Sequence, residues 1–400
     1  MTQPANPAPP SLRIPEINGL RGLAIVAVMW HHLTIALAFH PPVVFGVSTG
    51  PLLLNGWTGV NLFFMLSGFV LYLPYAAQKR QIRNSSDAWI FYKHRFFRLI
   101  PLYYVVCVTT LVLGGHLAQP HQNGALREAV AIMTFTFPLH HGTFVPPSNW
   151  ALWSIGTEVL FSVVFPILAL LAARRGIKPI LLCALLLSLA VRAIRALDPP
   201  LAGPDWIADA LLLGRLDEFV IGMALAAAYV HRTCWRIPTT TSGLLAAVLL
   251  FTGWYGFHAC ISRAISFEWM AVLCNVFDLG LTLLLLTLLN GAPWLRFLRW
   301  RILQLPGMAC YSIYLWHLPV MNAYGLFKGN TQPAFIAAAL LTTLFLAMLT
   351  YRFIEFRAAP DWRALFLFGP RAPAAATSDT LPRHESTLPP PRQPQPQPSR

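Results

Sequence analysis

The chain has 400 residues, of which 56% are hydrophobic and 11% are charged, whereas about 25% of the residues of a typical soluble domain are charged. Together with a mean hydropathy of +0.56, this composition excludes an ordinary soluble protein and indicates a polytopic membrane protein. The formal net charge of +14 does not indicate nucleic-acid binding, because the basic residues cluster between apolar stretches and are not interleaved with aromatic residues.

The predicted elements begin with an N-terminal arm at 1–16 and continue as ten apolar stretches, each near the roughly 20 residues that a spanning helix needs. These spans are predicted at 17–39, 57–76, 100–118, 151–172, 178–195, 208–230, 240–258, 269–290, 307–326 and 335–356. A shorter apolar segment at 125–138 is interpreted as re-entrant or interfacial. The prediction is thus an all-α membrane domain of about ten transmembrane helices over 17–357. A Pro-rich cytoplasmic tail at 358–400 is expected to be disordered.

The loops between these spans differ in charge. Lys and Arg concentrate in every second loop, beginning with 77–99, whereas the loops between them hold few basic residues. Because basic loops stay on the cytoplasmic side of a membrane, both termini and the loop 77–99 are predicted to be cytoplasmic. The long loop 119–149 is predicted to face the opposite side.

The first span, INGLRGLAIVAVMWHHL at 17–33, carries an arginine and two histidines. Ionisable groups in lipid are expensive and mark functional sites. A helix turns about 100° and rises about 1.5 Å per residue, so Arg21 and His32 fall on nearly the same face, roughly 16 Å apart. His31 is rotated by about 100° from His32. Such a stripe suits a long anionic donor, with its phosphates at the cytoplasmic mouth and its reactive end at the imidazole.

Seven short motifs, in the same chain order, resemble those of acyltransferase family 3, a family of integral-membrane O-acyltransferases. Arg21 and His32 resemble its R-x10-H motif, and Arg95 and Arg98 resemble its RxxR motif within RFFRLIPLYY. The other matches are GVNLFFMLSGFVLY at 59–72, LWSIGTEVLFSVVFP at 152–166, RLDEFVIGMALA at 215–226, YSIYLWHLPV at 311–320 and RFIE at 352–355. Each motif alone is weak in an apolar sequence, but seven in order over about 13–357 are specific.

The resemblance implies a ten-helix fold in the cytoplasmic (inner) membrane of a bacterium. It implies transfer of an acyl group, expected to be acetyl, from cytoplasmic acyl-CoA to a hydroxyl of a carbohydrate or of another envelope or secondary-metabolite acceptor. The expected partners are therefore acyl-CoA, with acetyl-CoA as the expected donor, a hydroxyl acceptor and the lipid bilayer. No metal is expected, because the six cysteines are scattered singly without a CxxC pair, and no nucleic acid is expected.

The motifs also assign candidate site residues. His32 is the expected general base or nucleophile, with a purely structural histidine as the alternative. Glu158 is the second catalytic candidate, because it could orient His32 or receive the acceptor's proton. Arg21, Arg95 and Arg98 are expected to bind the phosphates of CoA, since guanidinium offers paired donors; the alternative for the last two is simple positive-inside anchoring. Sidedness places Arg95 at the inner mouth of its span and Glu158 in the outer part.

Three further residues are candidates for substrate binding. Arg215 and Glu218 could line the acceptor site, and the alternative is an intramembrane ion pair that fixes helix packing. His317 could support the catalytic histidine or line the donor tunnel.

Two other classes of protein share the general pattern. A transporter would also have about ten helices with buried charges, but broken helices and inverted repeats are not evident in the sequence. A non-catalytic membrane scaffold would not need Arg21 and His32 aligned on one helix face. Transfer of label from radioactive acetyl-CoA separates the enzyme from both alternatives.

Overall fold

The computed structural model describes residues 14–114, 124–197, 211–231 and 237–355. Thirteen α-helices dominate these ranges: α1 Pro15–Ala36, α2 Gly50–Leu53, α3 Gly59–Ala76, α4 Ser85–Leu113, α5 Ala125–Met133, α6 Leu152–Arg175, α7 Ile177–Leu197, α8 Leu212–His231, α9 Thr239–Ile261, α10 Trp269–Leu289, α11 Arg301–Met308, α12 Cys310–Ala323 and α13 Pro333–Thr350. A π-helical turn at Tyr351–Glu355 extends α13. The predicted all-α membrane fold is confirmed.

Eight helices in the described ranges are long and apolar enough to cross a membrane: α1, α3, α4, α6, α7, α9, α10 and α13. The other two predicted spans exist as helices with different properties. The predicted span 208–230 corresponds to α8, which carries three charged residues near its start. The predicted span 307–326 corresponds to α12, which has only 14 residues and is separated from α11 by Ala309.

The largest difference in helix boundaries concerns α4, which begins at Ser85 rather than at the predicted residue 100. The side chain of Asn84 caps this end by accepting a hydrogen bond from the backbone N–H of Asp87 at 2.9 Å. Such a cap satisfies one of the unpaired N–H groups of the first turn. Much of the predicted loop 77–99 is therefore helical, and Arg95 lies inside a continuous helix of 29 residues.

The segment predicted to be re-entrant or interfacial contains the nine-residue helix α5. Two tyrosines of α4 hold it in place, because the hydroxyl of Tyr103 donates to the carbonyl of Ile132 and that of Tyr104 donates to the carbonyl of Met133. A two-stranded antiparallel hairpin, β1 Val43–Val44 with β2 Val47–Ser48, lies in the loop after α1.

Helices α3 and α8 cross at very close distance. Gly68 of α3 faces the backbone carbonyl of Phe219, and Gly222 of α8 faces that of Met65, so that a Cβ atom at either glycine would collide with the opposite backbone. Small residues permit this approach in membrane proteins, where van der Waals packing drives helix association. The crossing holds α3 against α8 and so places the polar residues of the two helices near each other.

The N-terminal arm enters the described range only at residue 14, and α1 begins with Pro15, a favourable residue at the first helical position. The predicted tail at 358–400 lies outside the described residues. The sidedness of the loops and termini stays a prediction.

Candidate active site

Two histidines from opposite ends of the sequence are in direct contact. Nδ1 of His32, on α1, lies 3.0 Å from Nε2 of His317, on α12, and the ring centroids are 4.9 Å apart. His317 is fully buried, while His32 is partly exposed. The structure therefore combines the predicted catalytic histidine with a residue that the sequence had placed among the substrate-binding candidates.

The hydrogen bonds of His317 determine which nitrogen atoms carry hydrogen. Nδ1 of His317 lies 2.6 Å from the carbonyl oxygen of Tyr314, and because a carbonyl only accepts, this nitrogen must donate. In neutral His317 the other nitrogen, Nε2, then accepts, so Nδ1–H of His32 must be the donor in the contact between the two rings. In neutral His32 this leaves the lone pair on Nε2, which is the arrangement that a general base or nucleophile needs.

Neighbouring side chains fix the histidine pair in position. The indole of Trp150 lies 6.0 Å from the His32 ring, measured between centroids. The ring of Tyr314 lies 5.5 Å from that of His317, and its hydroxyl accepts a hydrogen bond of 2.7 Å from Ser154. Helices α6 and α12 and the turn before α6 thus all hold the pair.

His31 bonds to the backbone. Its Nδ1 lies 2.8 Å from the backbone carbonyl of Leu54 and donates to it. This bond ties α1 to the segment before α3, and the edge of the His31 ring also packs against His32, with 5.3 Å between the ring centroids.

A second group of polar residues surrounds the carboxylate of Glu158. Nη2 of Arg95 donates to Oε1 of Glu158 at 2.9 Å, and Nε of Arg95 donates to the hydroxyl of Ser162 at 3.1 Å. The hydroxyl of Ser67, on α3, lies 3.4 Å from the same carboxylate oxygen. Glu158 therefore links α3, α4 and α6 at one point.

All three arginines of the predicted donor site converge on this carboxylate. Arg21 and Arg98 interact electrostatically with Glu158, and both also interact with Glu355, which accepts a hydrogen bond from Ser312. Among the described residues, the buried Nε of Arg21 has no hydrogen-bond partner. Three cations thus share two carboxylates, which leaves a positive excess and a free donor for an anion.

The structure separates Glu158 from the hydrogen bonds of His32. His32 bonds to His317 and to the backbone of Val28, and the carboxylate of Glu158 bonds to Arg95. Glu158, which sidedness placed in the outer part of its span, therefore shares one depth with Arg95, which sidedness placed at the inner mouth. A direct catalytic role of Glu158 stays a prediction, and its observed position is beside the arginines of the predicted donor site.

Arg215 and Glu218 form a buried ion pair, with 2.6 Å between Nη1 and Oε1. Only 7% of Arg215 and none of Glu218 is exposed. Arg192, on α7, adds a further pair with Asp217, at 2.9 Å between Nη1 and Oδ2. These contacts agree with the alternative of a packing ion pair, and the role of Arg215 and Glu218 in binding the acceptor stays a prediction.

Sequence reasoning did not include all members of this cluster. The amide nitrogen of Asn61, on α3, donates both to Oε1 of Glu218 at 3.1 Å and to Oδ1 of Asp278 at 3.2 Å. Arg192 lies 3.6 Å from the other oxygen of Asp278. The available signal was Asp278, the single charged residue of apolar α10, and Arg192 within the apolar sequence of α7, because such residues need a partner in lipid.

Comparison with known proteins is consistent with this geometry. The family model described as the acyltransferase domain of acyltransferase family 3 matches residues 14–352. The chain belongs to this family. The matched range includes the histidine pair and all three arginines of the predicted donor site, so both groups lie within the family domain.

Among the relatives of this acyltransferase family 3 member, the peptidoglycan O-acetyltransferase OatA of Listeria monocytogenes is 26% identical over 367 residues, which cover 86% of this chain and 55% of the relative. The acyltransferase MdmB of Streptomyces mycarofaciens is 25% identical, over 79% of this chain and 81% of the relative. The putative membrane-bound transacylase BcsY of Komagataeibacter xylinus is 26% identical, over 92% of this chain and 86% of the relative. The chain thus spans little more than half the length of its Listeria relative. No solved structure matches the chain.

Proposed function

We propose that this acyltransferase family 3 member is a membrane O-acyltransferase that transfers an acyl group, taken here as acetyl, from acyl-CoA to an acceptor hydroxyl. The observation that carries this proposal is the contact of 3.0 Å between His32 and His317. Through this contact the buried neighbour holds Nδ1–H of His32 and leaves Nε2 available for a proton or an acyl group. The family membership and the printed names of the relatives support the same reaction class.

The donor is acyl-CoA, with acetyl-CoA as the simplest case. Its phosphates bind at Arg21, Arg95 and Arg98, where three guanidinium groups share two carboxylates and Nε of Arg21 lacks a partner. Guanidinium binds phosphate through paired donors. Helix α1 carries Arg21 near one end and His32 roughly 16 Å farther along, so an extended pantetheine arm parallel to α1 brings the thioester to the histidine pair.

Two routes of transfer are compatible with the histidine pair. In the first, Nε2 of His32 takes the proton of the acceptor hydroxyl, whose oxygen attacks the thioester carbonyl; the carbon–sulfur bond breaks and the CoA thiolate leaves and is protonated. In the second, Nε2 itself attacks the thioester carbonyl, the carbon–sulfur bond breaks and the CoA thiolate leaves. The oxygen of the acceptor hydroxyl then takes the acyl group as the carbon–nitrogen bond breaks, and the hydroxyl proton ends on the thiolate. His317 is a positioning residue in both, because it stabilises the positive charge that develops on His32.

The acceptor is a carbohydrate of the cell envelope, a lipid-linked sugar or a secondary metabolite with a hydroxyl group. A carbohydrate is favoured because the Listeria relative is named as a peptidoglycan O-acetyltransferase. The protein then lies in the cytoplasmic membrane of a bacterium, with the basic loops and the donor site on the cytoplasmic side. The transporter alternative is set aside because the chain belongs to an acyltransferase family.

The experiment that tests this function is acyl transfer in isolated membranes. Membranes with the wild-type protein, with His32→Ala protein and without the protein are incubated with acetyl-CoA carrying a radioactive acetyl group. Label should move to envelope glycan, lipid or added acceptor only with the wild-type protein. Equal labelling in all three membranes, or none with any envelope acceptor, would rule the proposal out.

A further inference from the structure

A second basic site lies apart from the donor arginines, at the ends of α3, α6, α7 and α8 that the positive-inside rule assigns to the cytoplasm. It is a cavity of about 840 Å³, which is within the range of roughly 300–1,000 Å³ that small-molecule sites occupy. Five cationic side chains from two separate segments of the chain line it: Arg80, Arg83, Arg174, Arg175 and Lys178.

The turn between α6 and α7 brings three of these cations together. Gly176 adopts a backbone φ of +80°, a conformation that favours glycine, and its N–H closes α6 by donating to the carbonyl of Ala172. The chain therefore reverses directly after Arg175, and Lys178 lies in the first turn of α7. The loop that follows α3 supplies Arg80 and Arg83 from the opposite wall.

Membrane topology alone accounts for basic loops but not for this convergence. The positive-inside rule concerns the number of cations in a loop, and isolated cations on a surface would satisfy it. Here the cations line one cavity whose wall contains no Asp or Glu. Within 14–114, 124–197, 211–231 and 237–355, none of the five side chains forms an ion pair. The carboxylate of Asp87 lies beside the group, where it accepts a hydrogen bond from the backbone N–H of Arg83 at 2.8 Å, so the cavity keeps a net positive charge.

An apolar groove continues from this cavity along the outside of α6 and α7. Its volume is about 200 Å³, and it shares Arg175 and Pro179 with the basic cavity. The rest of its wall is almost entirely aliphatic and includes Leu168, Leu171 and Leu187. A soluble anion would have no use for such a groove, whereas a molecule with an anionic head and an aliphatic chain would fill both parts.

We propose that this composite site binds an anionic phospholipid of the adjacent leaflet. The phosphates of the headgroup lie among the five cations, and an acyl chain lies in the groove between α6 and α7. Basic pockets between transmembrane helices on the cytoplasmic side are known to hold diphosphate headgroups of the cardiolipin type. Such a lipid would hold the loop after α3 against the α6–α7 turn by neutralising the mutual repulsion of their cations.

The test uses the full chain, purified in a mild detergent, and native mass spectrometry of bound lipid. Cardiolipin, with two phosphates, is the probe, and zwitterionic phosphatidylethanolamine with the same acyl chains is the reference. The wild-type protein should bind cardiolipin in preference to phosphatidylethanolamine. The double substitution Arg175→Gln with Lys178→Gln should weaken that binding roughly 30-fold, from the loss of two phosphate contacts near the membrane surface.

Two further variants make the test specific. Lys79→Gln with Arg296→Gln removes the same charge from exposed positions outside the cavity and should leave cardiolipin binding unchanged. Leu187→Trp fills the groove and should weaken cardiolipin but not pyrophosphate, the soluble probe. Thermal unfolding in detergent without added lipid identifies any variant that is misfolded. Lipid binding is then compared only among the folded variants.

Three results would overturn the proposal. Equal losses of cardiolipin affinity in the Arg175→Gln, Lys178→Gln variant and in the Lys79→Gln, Arg296→Gln variant would indicate a general attraction between the lipid and the basic surface. Full displacement of cardiolipin by pyrophosphate, with no effect of Leu187→Trp, would assign the cavity to a soluble phosphate. Equal binding of cardiolipin and phosphatidylethanolamine would remove the role of the cations.

Discussion

The contact between His32 and His317 makes the sharpest prediction about this enzyme. Loss of the base itself, in His32→Ala, should reduce acyl transfer by roughly 10²–10⁴-fold, the usual contribution of general-base help. His317 acts on the reaction only through Nδ1–H of His32. A hydrogen bond to a charged group contributes about 1.5–3 kcal/mol, which corresponds to roughly 10- to 150-fold in rate. His317→Leu should therefore lose a smaller and separable part of kcat.

The substitution His317→Gln tests the role assigned to Nε2. The glutamine side chain can present an amide oxygen near the position of the imidazole Nε2, so it keeps an acceptor for His32. It should recover much of the kcat that His317→Leu loses, while the KM for acetyl-CoA stays unchanged in both. His31→Ala, which removes a bond to the Leu54 carbonyl and a ring contact with His32 but leaves the His32–His317 bond in place, is the comparison variant and should retain most activity.

The assay is transfer from labelled acetyl-CoA in membranes or nanodiscs, with expression and CoA affinity measured for every variant. Near-normal turnover of His32→Ala would refute the proposed chemistry. Equal rates for His317→Leu and wild type would refute the positioning role of His317 and leave it a packing residue. Equal losses in His317→Leu and His317→Gln would contradict the hydrogen-bond explanation and favour a steric one.

Three other predictions concern the donor-site arginines, the buried Arg192 and the topology of the loops. Arg98→Ala should weaken acyl-CoA binding with little effect on unfolding, whereas Arg95→Ala should also lower stability by roughly 3 kcal/mol, because it removes the arginine that is hydrogen-bonded to the carboxylate of Glu158. Lys at either site should restore binding only partly. Unchanged acyl-CoA affinity of a folded variant with alanine at both sites would reduce both arginines to topology anchors. Arg192→Leu should destabilise the protein by about 3–5 kcal/mol, seen as a lower unfolding temperature in detergent, and an unchanged temperature would contradict a structural role. Single cysteines placed within 77–99 and 119–149 of a cysteine-free chain should react from the cytoplasmic and the opposite side, respectively, and the reverse result would invert the topology.

Local patterns in the sequence were sufficient to predict most of the helices and to single out the arginines and histidines that the structure brings into two groups. Arg21 and His32 share a face because a helix has a fixed period, and this needs no tertiary information. The convergence of Arg21, Arg95 and Arg98 on Glu158 was only partly foreseeable. Their common charge suggested a common anion, but the bond from Arg95 to Glu158 depends on how α4 packs against α6, which local patterns do not reveal.

The contact of His317 with His32 could not be predicted from local patterns. The two residues are 285 positions apart, and their distance depends on how α1 packs against α12. Both were recognised because polar residues in apolar helices are rare, but the same criterion gave no information about which of them would meet. Asp278 and Arg192 illustrate the limit further, since the sequence showed each as a charge in an apolar helix and the partners of each became evident only from the fold.

The two buried charge clusters of this protein differ in a way that bears on where the donor binds. The cluster around Glu158 has three arginines for two carboxylates, and Arg21 in it is only partly buried. The cluster around Arg192 has two arginines, Arg192 and Arg215, for three carboxylates, those of Asp217, Glu218 and Asp278. At most 7% of any of these five residues is exposed. A donor that carries several phosphates is attracted to the first and repelled by the second. Both clusters keep buried polar atoms without a hydrogen-bond partner among the described residues, Nε of Arg21 in the first and Nε of Arg215, Oε2 of Glu218 and Oδ2 of Asp278 in the second. The sign of the charge, and not the completeness of the hydrogen bonding, is therefore what directs an anionic donor to the first cluster.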